Sequence, residues 1–511
     1  MKKYSFVILF SIIAFLSSIT SIKEGNINIL IFAVLFFISG WGIAYLEQKN
    51  RYEKDLFFKL FTVGFILRFF VVVFIYYILI KAHGHPFIGE IGEKGGRIFG
   101  SDDFGYEITG SLIGNSLINH QGIPHFIGRS QPGYYIVIAI FHYISDFIGS
   151  YHVILPRLFN SLFGSLIPIY IFKISTVIFE NTKIARTAAW IALIFPNLVY
   201  YSSVQLKDII ITFIFVFAVS KILDFFQTGK KVNLFITLIS ILILSFFRRP
   251  YAVCLSGVIF FFGFIIALTK SECCFKKKFM KKKIFIIFIF LLLIYSIVTG
   301  ELFNIFNPSS LNIYEMIETG NIHSFYQFNR SYVASGSLML LFFNRMSLPI
   351  RVVSFPILML IMPYPPWWGL STNNPLKLID FFNGIFWLSM LPFFIIGFVI
   401  TIRRKAVSAF LLYSTIVGVL VMNSISFFSV RYRLPIVPFA LILSSFGIYC
   451  LFKYNWTKIY YIWFHFLMLS AYLIIKYKII SIEYIALFIL FILCYFIISI
   501  RKKSSFFPSP L

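Results

Sequence analysis

The sequence predicts an all-α polytopic membrane protein of about 14 transmembrane helices. Three observations predict it. Hydrophobic residues make up 59% of the 511 residues, aromatics 20% and charged residues only 13%, and the mean hydropathy is +0.89. Apolar runs of about twenty residues, the length of a helix that crosses a bilayer core, recur from one end to the other. The basic residues collect in the short segments between those runs.

The first run, YSFVILFSIIAFLSSITSI after Met1, Lys2 and Lys3, has no small-residue cleavage site and leads straight into a second run. It reads as a retained helix rather than a signal peptide. Spans are expected at 4–22, 28–47, 57–80, 153–177, 184–202, 208–226, 232–248, 250–268, 284–300, 379–402, 407–427, 434–453, 456–475 and 478–500. Two further apolar segments, 133–149 and 349–366, require a choice. If 133–149 crossed the bilayer, the Lys-rich segment 270–283, RRK at 403–405 and RKK at 501–503 would all face outward. That opposes the bias of lysine and arginine toward the cytoplasm. Laid along the interface, 133–149 leaves every basic loop cytoplasmic, and its His142 and Asp146 suit an amphipathic interfacial helix. The same parity makes 349–366 interfacial or re-entrant.

The result is an integral, multi-pass protein with both termini cytoplasmic, expected in a bacterial or archaeal plasma membrane. Two N-terminal helices occupy 1–56. A membrane core at 57–300 carries a long first outer loop, 81–152, with interfacial helices. A large outer loop fills 301–378, and C-terminal helices fill 379–511. The net charge of +26 belongs to the cytoplasmic loops, so the expected partner is the lipid bilayer and not nucleic acid. The five cysteines give no metal spacing. His83, His85, His120, His125 and His142 cluster in the first outer region without matching a closed metal site. No metal or other cofactor is expected.

Acidic residues are scarce, yet Glu90, Glu93, Asp102, Asp103 and Glu107 fall within one short part of the first outer loop. The stretch GSDDFGYEITG starts a helix near Ser101, with Asp103 and Tyr106 on one side of it. Either Ser101 or Asp102 can cap that helix, which is the ordinary role of such residues. Tandem carboxylates beside apolar spans are expensive, which favours a functional role. In SSVQLKD, Lys207 and Asp208 stand at an outer turn; Asp208 is a helix-first-turn acid by default and a second site carboxylate if it faces Asp103. Arg248 and Arg249 lie at another outer turn, and Arg431 and Arg433 at a third. Outer arginines snorkel to lipid headgroups or clamp a phosphate, and two such pairs strengthen the second reading.

The order of these pieces resembles a known pattern. D-x-x-Y in the first outer loop is followed by QPGYYIVIAIF, then LPRLFNSLFGSLIPIYIF, ARTAAWIALIFPNLVYYSSVQLKD and RYRLPIVPFALILSSFG. Together they are similar to the integral-membrane glycosyltransferases of the GT-C fold, the dolichyl-phosphate-mannose protein mannosyltransferase-like (family 39-like) group, over roughly residues 57 to 450. The resemblance implies sugar transfer from a polyprenyl-phosphate donor at the outer face, to an acceptor lipid, glycan or protein. It implies that Asp103 is the general base, with Asp102 beside it and Asp208 as the acid of the second turn. Tyr106, Lys207, Arg248, Arg249, Arg431 and Arg433 are then the substrate-binding residues. The chemistry is consistent, since the donor needs its phosphate charge neutralised and the acceptor needs a base. An O-antigen-type polysaccharide polymerase or ligase is the alternative, and would rely on arginine and histidine in the large outer loop. A lipid-linked sugar transporter would use charges within the spans, for which Arg68, Lys173, Lys221 and Asp224 are available.

Overall fold

The computed structural model describes residues 3–48, 55–88, 92–94, 97–99, 101–120, 132–268, 356, 359–360, 375–403, 407–425 and 430–453. The spans expected at 284–300, 456–475 and 478–500, the Lys-rich 270–283 and most of the loop 301–378 lie outside these residues.

The apolar runs form α1 (Lys3–Glu24), α2 (Asn28–Gln48) and α3 (Leu56–His83). A short antiparallel pair, β1 (Gly92–Lys94) and β2 (Arg97–Phe99), follows with Glu93 opposite Ile98. It is the one departure from the all-α expectation among the described residues. Then come α4 (Asp102–Ile118), α5 (Gly133–Ile148), α6 (Ile154–Phe179), α7 (Thr182–Ile194), α8 (Pro196–Ser203), α9 (Asp208–Thr228) and α10 (Lys231–Leu268). The remaining helices among the described residues are α11 (Pro375–Arg403), α12 (Val407–Ile425) and, after a 3₁₀ turn at Val430–Ile436, α13 (Val437–Lys453). Among the described residues, seven helical segments are long and apolar enough to cross a membrane. The chain is therefore a helical, integral, multi-pass membrane protein.

Most boundaries follow the hydropathy, with one correction. The span expected at 184–202 is two helices, because Pro196 breaks it. Proline has no N–H to donate and is suited to a first helical turn. The break frees carbonyls in the middle of the bundle, and Arg68 answers them. Its Nη1 donates to Leu193 O at 3.4 Å and to Gly64 O at 3.1 Å. Gly164 makes room for that guanidinium; a Cβ there would lie 2.8 Å from Arg68 Nε and 2.4 Å from the Ser202 Cβ.

The chain reverses at Arg248, the residue within α10 whose backbone is not helical (φ −163°, ψ 97°). Before the reversal, Phe246 and Phe247 lie against Gly133 at the start of α5. After it, Tyr251 packs on Phe215 and Phe262 on Phe226, so the second arm runs alongside α9 in the same direction. The turn thereby returns to the end of the bundle where α9 begins. The break falls where the sequence reading divides this run into 232–248 and 250–268.

The helix α6 is buried along most of its length and is the axis of the bundle. At one end Lys173, on α6, bridges Glu47 of α2 at 2.5 Å and Asp224 of α9 at 3.1 Å, while Lys221 reaches Glu47 at 2.7 Å. At the other end Asn26 and Asn28 of the α1–α2 turn each donate to Ser150 O at 2.8 Å. Two glycines let α11 and α13 touch backbone to backbone, since a Cβ on Gly397 would lie 1.9 Å from Leu443 O and one on Gly447 2.0 Å from Phe393 O.

The helices α4 and α5 form a layer over the Asn26 end. The buried side of α5 carries Tyr134, Ile138, Phe141 and Ser145. Its other side exposes Ile136, Ile140, Ile144 and Phe147, an apolar face suited to lipid.

Candidate active site

Four separate parts of the sequence meet at the end of the bundle covered by α4. The first is the start of α4 itself. Ser101 is its N-cap residue, and Asp102 and Asp103 occupy the first turn, where the helix dipole favours carboxylates. The two aspartates point in different directions. Asp103 is fully buried. Its Oδ2 accepts from Ile88 N at 2.8 Å, and its Oδ1 accepts from Phe104 N at 3.0 Å and from the Ser101 hydroxyl. Arg157, also fully buried, lies in the field of Asp103 and donates to Pro86 O. Between them these two side chains hold the 86–88 segment. Asp102 instead has a side chain 49% exposed, which forms an ion pair with Arg431.

The second part is the turn before α9. Lys207 is the N-cap residue of that helix and Asp208 its first residue. The third is the reversal at Arg248, whose Nη1 lies 3.8 Å from Asp208 Oδ1. The fourth is the 3₁₀ turn. Tyr432 presents its ring to Arg248 at 3.8 Å and lies 5.3 Å from the Arg431 guanidinium. Tyr251, buried below, lies 5.1 Å from Arg248 and donates its hydroxyl to Tyr432 O at 2.9 Å. The Asp102 and Asp208 carboxylates thus both stand within the electrostatic reach of Lys207 and Arg431, and Asp208 within that of Arg248.

Tyr106 forms the floor. It packs edge-on to Tyr134 at 5.1 Å, and Lys207 Nζ sits 5.7 Å from its ring. Burial, and then the Asp208 and Asp102 charges, push its phenol well above the usual range, so it keeps its proton. Burial, helped by the Arg248 charge, pulls Lys207 from 10.5 to about 8.

The geometry sorts the residues singled out from the sequence. It brings together Asp102, Asp208, Tyr106, Lys207, Arg248 and Arg431. It places Asp103 beneath them as a support for the loop. Arg249, next to Arg248, is exposed. Arg433 is buried and lies elsewhere, 4.0 Å from the Trp387 ring with Nη1 donating to Met359 O at 2.9 Å. It ties the 3₁₀ turn to α11 and is too enclosed to clamp a substrate. The charges considered for a transporter are also accounted for, with Arg68 on backbone carbonyls and Lys173, Lys221 and Asp224 in the ion cluster at the opposite end.

One hub was not anticipated. Glu107 joins three elements, with His142 Nε2 2.9 Å from its Oε1 and with Tyr151 Oη and Gln205 Nε2 donating to its Oε2, each at 2.7 Å. Gln205 belongs to the turn that carries Lys207, so Glu107 fixes that turn against α4. The sequence marks Glu107 only as part of the acid cluster, because its partners come from distant segments. Asn160 supports the same turn by donating to Val204 O at 2.7 Å and Leu206 O at 2.8 Å.

Chemically, the arrangement offers a carboxylate that reaches solvent and flanking cations able to hold an anion. Among the described residues no three His, Cys, Asp or Glu side chains gather to hold a metal ion. The fold and site define the class: a helical membrane protein with a mixed-charge cluster at one end of its bundle. No protein-family model matches the sequence, and no curated protein matches it. Among solved structures it is similar to the archaeal oligosaccharyltransferase AglB from Archaeoglobus fulgidus, solved with an inhibitory peptide and a dolichol-phosphate. The two are 13% identical with a TM-score of 0.41, over 79% of this chain and 54% of that one. This chain thus spans about half of AglB.

Proposed function

We propose that the protein is a GT-C-like membrane glycosyltransferase that moves a sugar from a polyprenyl-phosphate donor to an acceptor at the outer membrane face. The base is Asp102, not Asp103. The observation that carries this reading is the convergence of the solvent-reaching Asp102 carboxylate with Lys207, Arg248 and Arg431 at one end of an apolar bundle. A donor tail lies among the spans, and its phosphate reaches the three cations. The acceptor hydroxyl, on a lipid, glycan or protein, gives its proton to Asp102 while its oxygen bonds to the anomeric carbon. The bond from that carbon to the phosphate oxygen breaks, and its electron pair leaves on the polyprenyl phosphate. The phosphate goes from one negative charge as a diester to two as a monoester, and the cations stabilise the charge that develops. Asp208 orients Arg248. Tyr106, held protonated, offers a neutral surface beside the sugar.

Asp103 is unsuited to the proton transfer because its oxygens already accept three internal hydrogen bonds and it has no exposure. A base must come within hydrogen-bond reach of the hydroxyl it deprotonates. The test is to incubate the purified protein with a panel of labelled polyprenyl-phosphate sugars and follow loss of label from the lipid. Loss that requires Asp102 supports the reading. No loss with any hexosyl or pentosyl donor in the presence of membrane acceptors would end it.

A further inference from the structure

We infer that Arg431 holds Asp102 in a resting state, and that the donor phosphate releases the base by drawing Arg431 away. This rests on the glycosyltransferase reading and adds an order of events to it. The two cations flanking Tyr432 are not held equally. Arg248 lies 3.8 Å from the Tyr432 ring and 5.1 Å from the Tyr251 ring, with Asp208 3.8 Å from its Nη1. It is fixed on three sides. Arg431 lies farther from Tyr432, at 5.3 Å, and its ion-pair partner Asp102 stands at the solvent edge with its side chain 49% exposed. Asp208 attracts both arginines, but Arg431 is the more exposed, its side chain 27% open against 14% for Arg248, and its direct ion-pair partner is the one it can exchange for another anion.

The exchange is chemically favourable. A phosphate offers two charged oxygens to the planar guanidinium, as a carboxylate does, and brings further hydrogen bonds from Lys207 and Arg248. In the resting pair, Asp102 Oδ2 is occupied by the guanidinium and its charge is compensated. Once Arg431 turns to the phosphate, both carboxylate oxygens are open to the acceptor hydroxyl. The base is therefore uncovered only when a donor is in place, so donor binding precedes deprotonation of the acceptor. No charge enters or leaves in this step beyond the phosphate itself.

The consequence is unusual for a catalytic carboxylate. Asp102 and the donor phosphate compete for one arginine, so removing the carboxylate charge should improve donor binding while it abolishes transfer. The experiment measures binding of a sugar-free polyprenyl phosphate to the purified full-length protein in micelles, with the uncharged polyprenol as control. Asp102→Asn and, independently, Asp102→Ser should each bind the phosphate about two- to fivefold tighter than the parent, the size expected for release of one partly exposed ion pair. Binding of polyprenol should not change. If the parent prefers the phosphate over the alcohol but neither variant tightens it, the resting-state role of Arg431 is overturned and the glycosyltransferase reading stands. A parent that does not distinguish phosphate from alcohol overturns both.

Discussion

The Arg248 guanidinium lies 3.8 Å from the centre of the Tyr432 ring. This contact joins the reversal in α10 to the 3₁₀ turn before α13, two segments far apart in the chain. A guanidinium on an aromatic face is attracted by the ring quadrupole and loses less hydration than an ammonium would. The stack therefore keeps a charged clamp in place at the edge of an apolar bundle. Arg248→Ala is expected to weaken polyprenyl-phosphate binding by about tenfold or more, since a charge-assisted contact is worth roughly 1.5–3 kcal/mol. Arg248→Lys should recover only part of it, because an ammonium stacks poorly. Titration of the lipid phosphate against both variants checks this.

The two tandem aspartates should separate cleanly. Asp102→Asn is expected to lower transfer by about 10²–10⁴-fold, the usual contribution of a positioned base, with stability lowered by no more than about 1 kcal/mol, the worth of one partly exposed ion pair. Asp103→Asn puts an amide NH₂ among donors in a buried site, and should cost about 1–3 kcal/mol of stability. Heat-induced aggregation in detergent, run beside a transfer assay, distinguishes a lost base from a loosened loop.

Lys207 gives a pH dependence with a definite sign. In the folded protein it loses its proton at about 8, against 10.5 ordinarily. Donor binding should fall as pH rises through 8, because the phosphate loses one cation. Stability should move the other way between about 8 and 10.5, since the unfolded chain then binds more protons than the folded one. Lys207→Arg should keep donor binding flat across that window. Parallel binding and melting curves from pH 7 to 10 test both trends.

The ion cluster at the far end should act on stability alone. Glu47→Gln leaves Lys173 with Asp224 as its remaining carboxylate partner and takes from Lys221 the carboxylate it reaches at 2.7 Å. Breaking a buried network of this kind costs about 3–5 kcal/mol. The melting temperature should drop while the affinity for donor stays the same in the protein that survives.

Gly397→Ala should prevent normal packing of α11 on α13, because the added methyl meets the Leu443 carbonyl at 1.9 Å. Loss of folded protein in a size-exclusion profile is the expected result, and Gly42→Ala, with no atom within 4 Å of the new Cβ, is the matched control.

Much of the fold was legible because lipid imposes a strong pattern. Apolar length alone located α2, α3, α6 and α9, and the Arg248–Arg249 pair marked a reversal that hydropathy by itself leaves ambiguous. The break at Pro196 was missed because the run on either side remains apolar; only a partner such as Arg68, far away in sequence, makes the freed carbonyls tolerable. The tandem aspartates were visible as a pair, but which of them faces outward depends on Ile88 and Arg157, whose approach no local spacing encodes. Arg433 has the same sequence context as Arg431, and its burial against Trp387 and Met359 O separates the two.

The reversal at Arg248 also makes the first arm of α10 a ruler. That arm climbs from the turn at Gly229 and Lys230 to the level at which α9 begins. Each helical residue advances the chain about 1.5 Å and turns it about 100°. Deleting one residue between Lys231 and Phe247 would swing the guanidinium away from both Asp208 and Tyr432 without touching either. Drift in the sequence of its exposed side, at Val232, Phe235, Ile239 and Ile243, is cheap, while drift in its length is not.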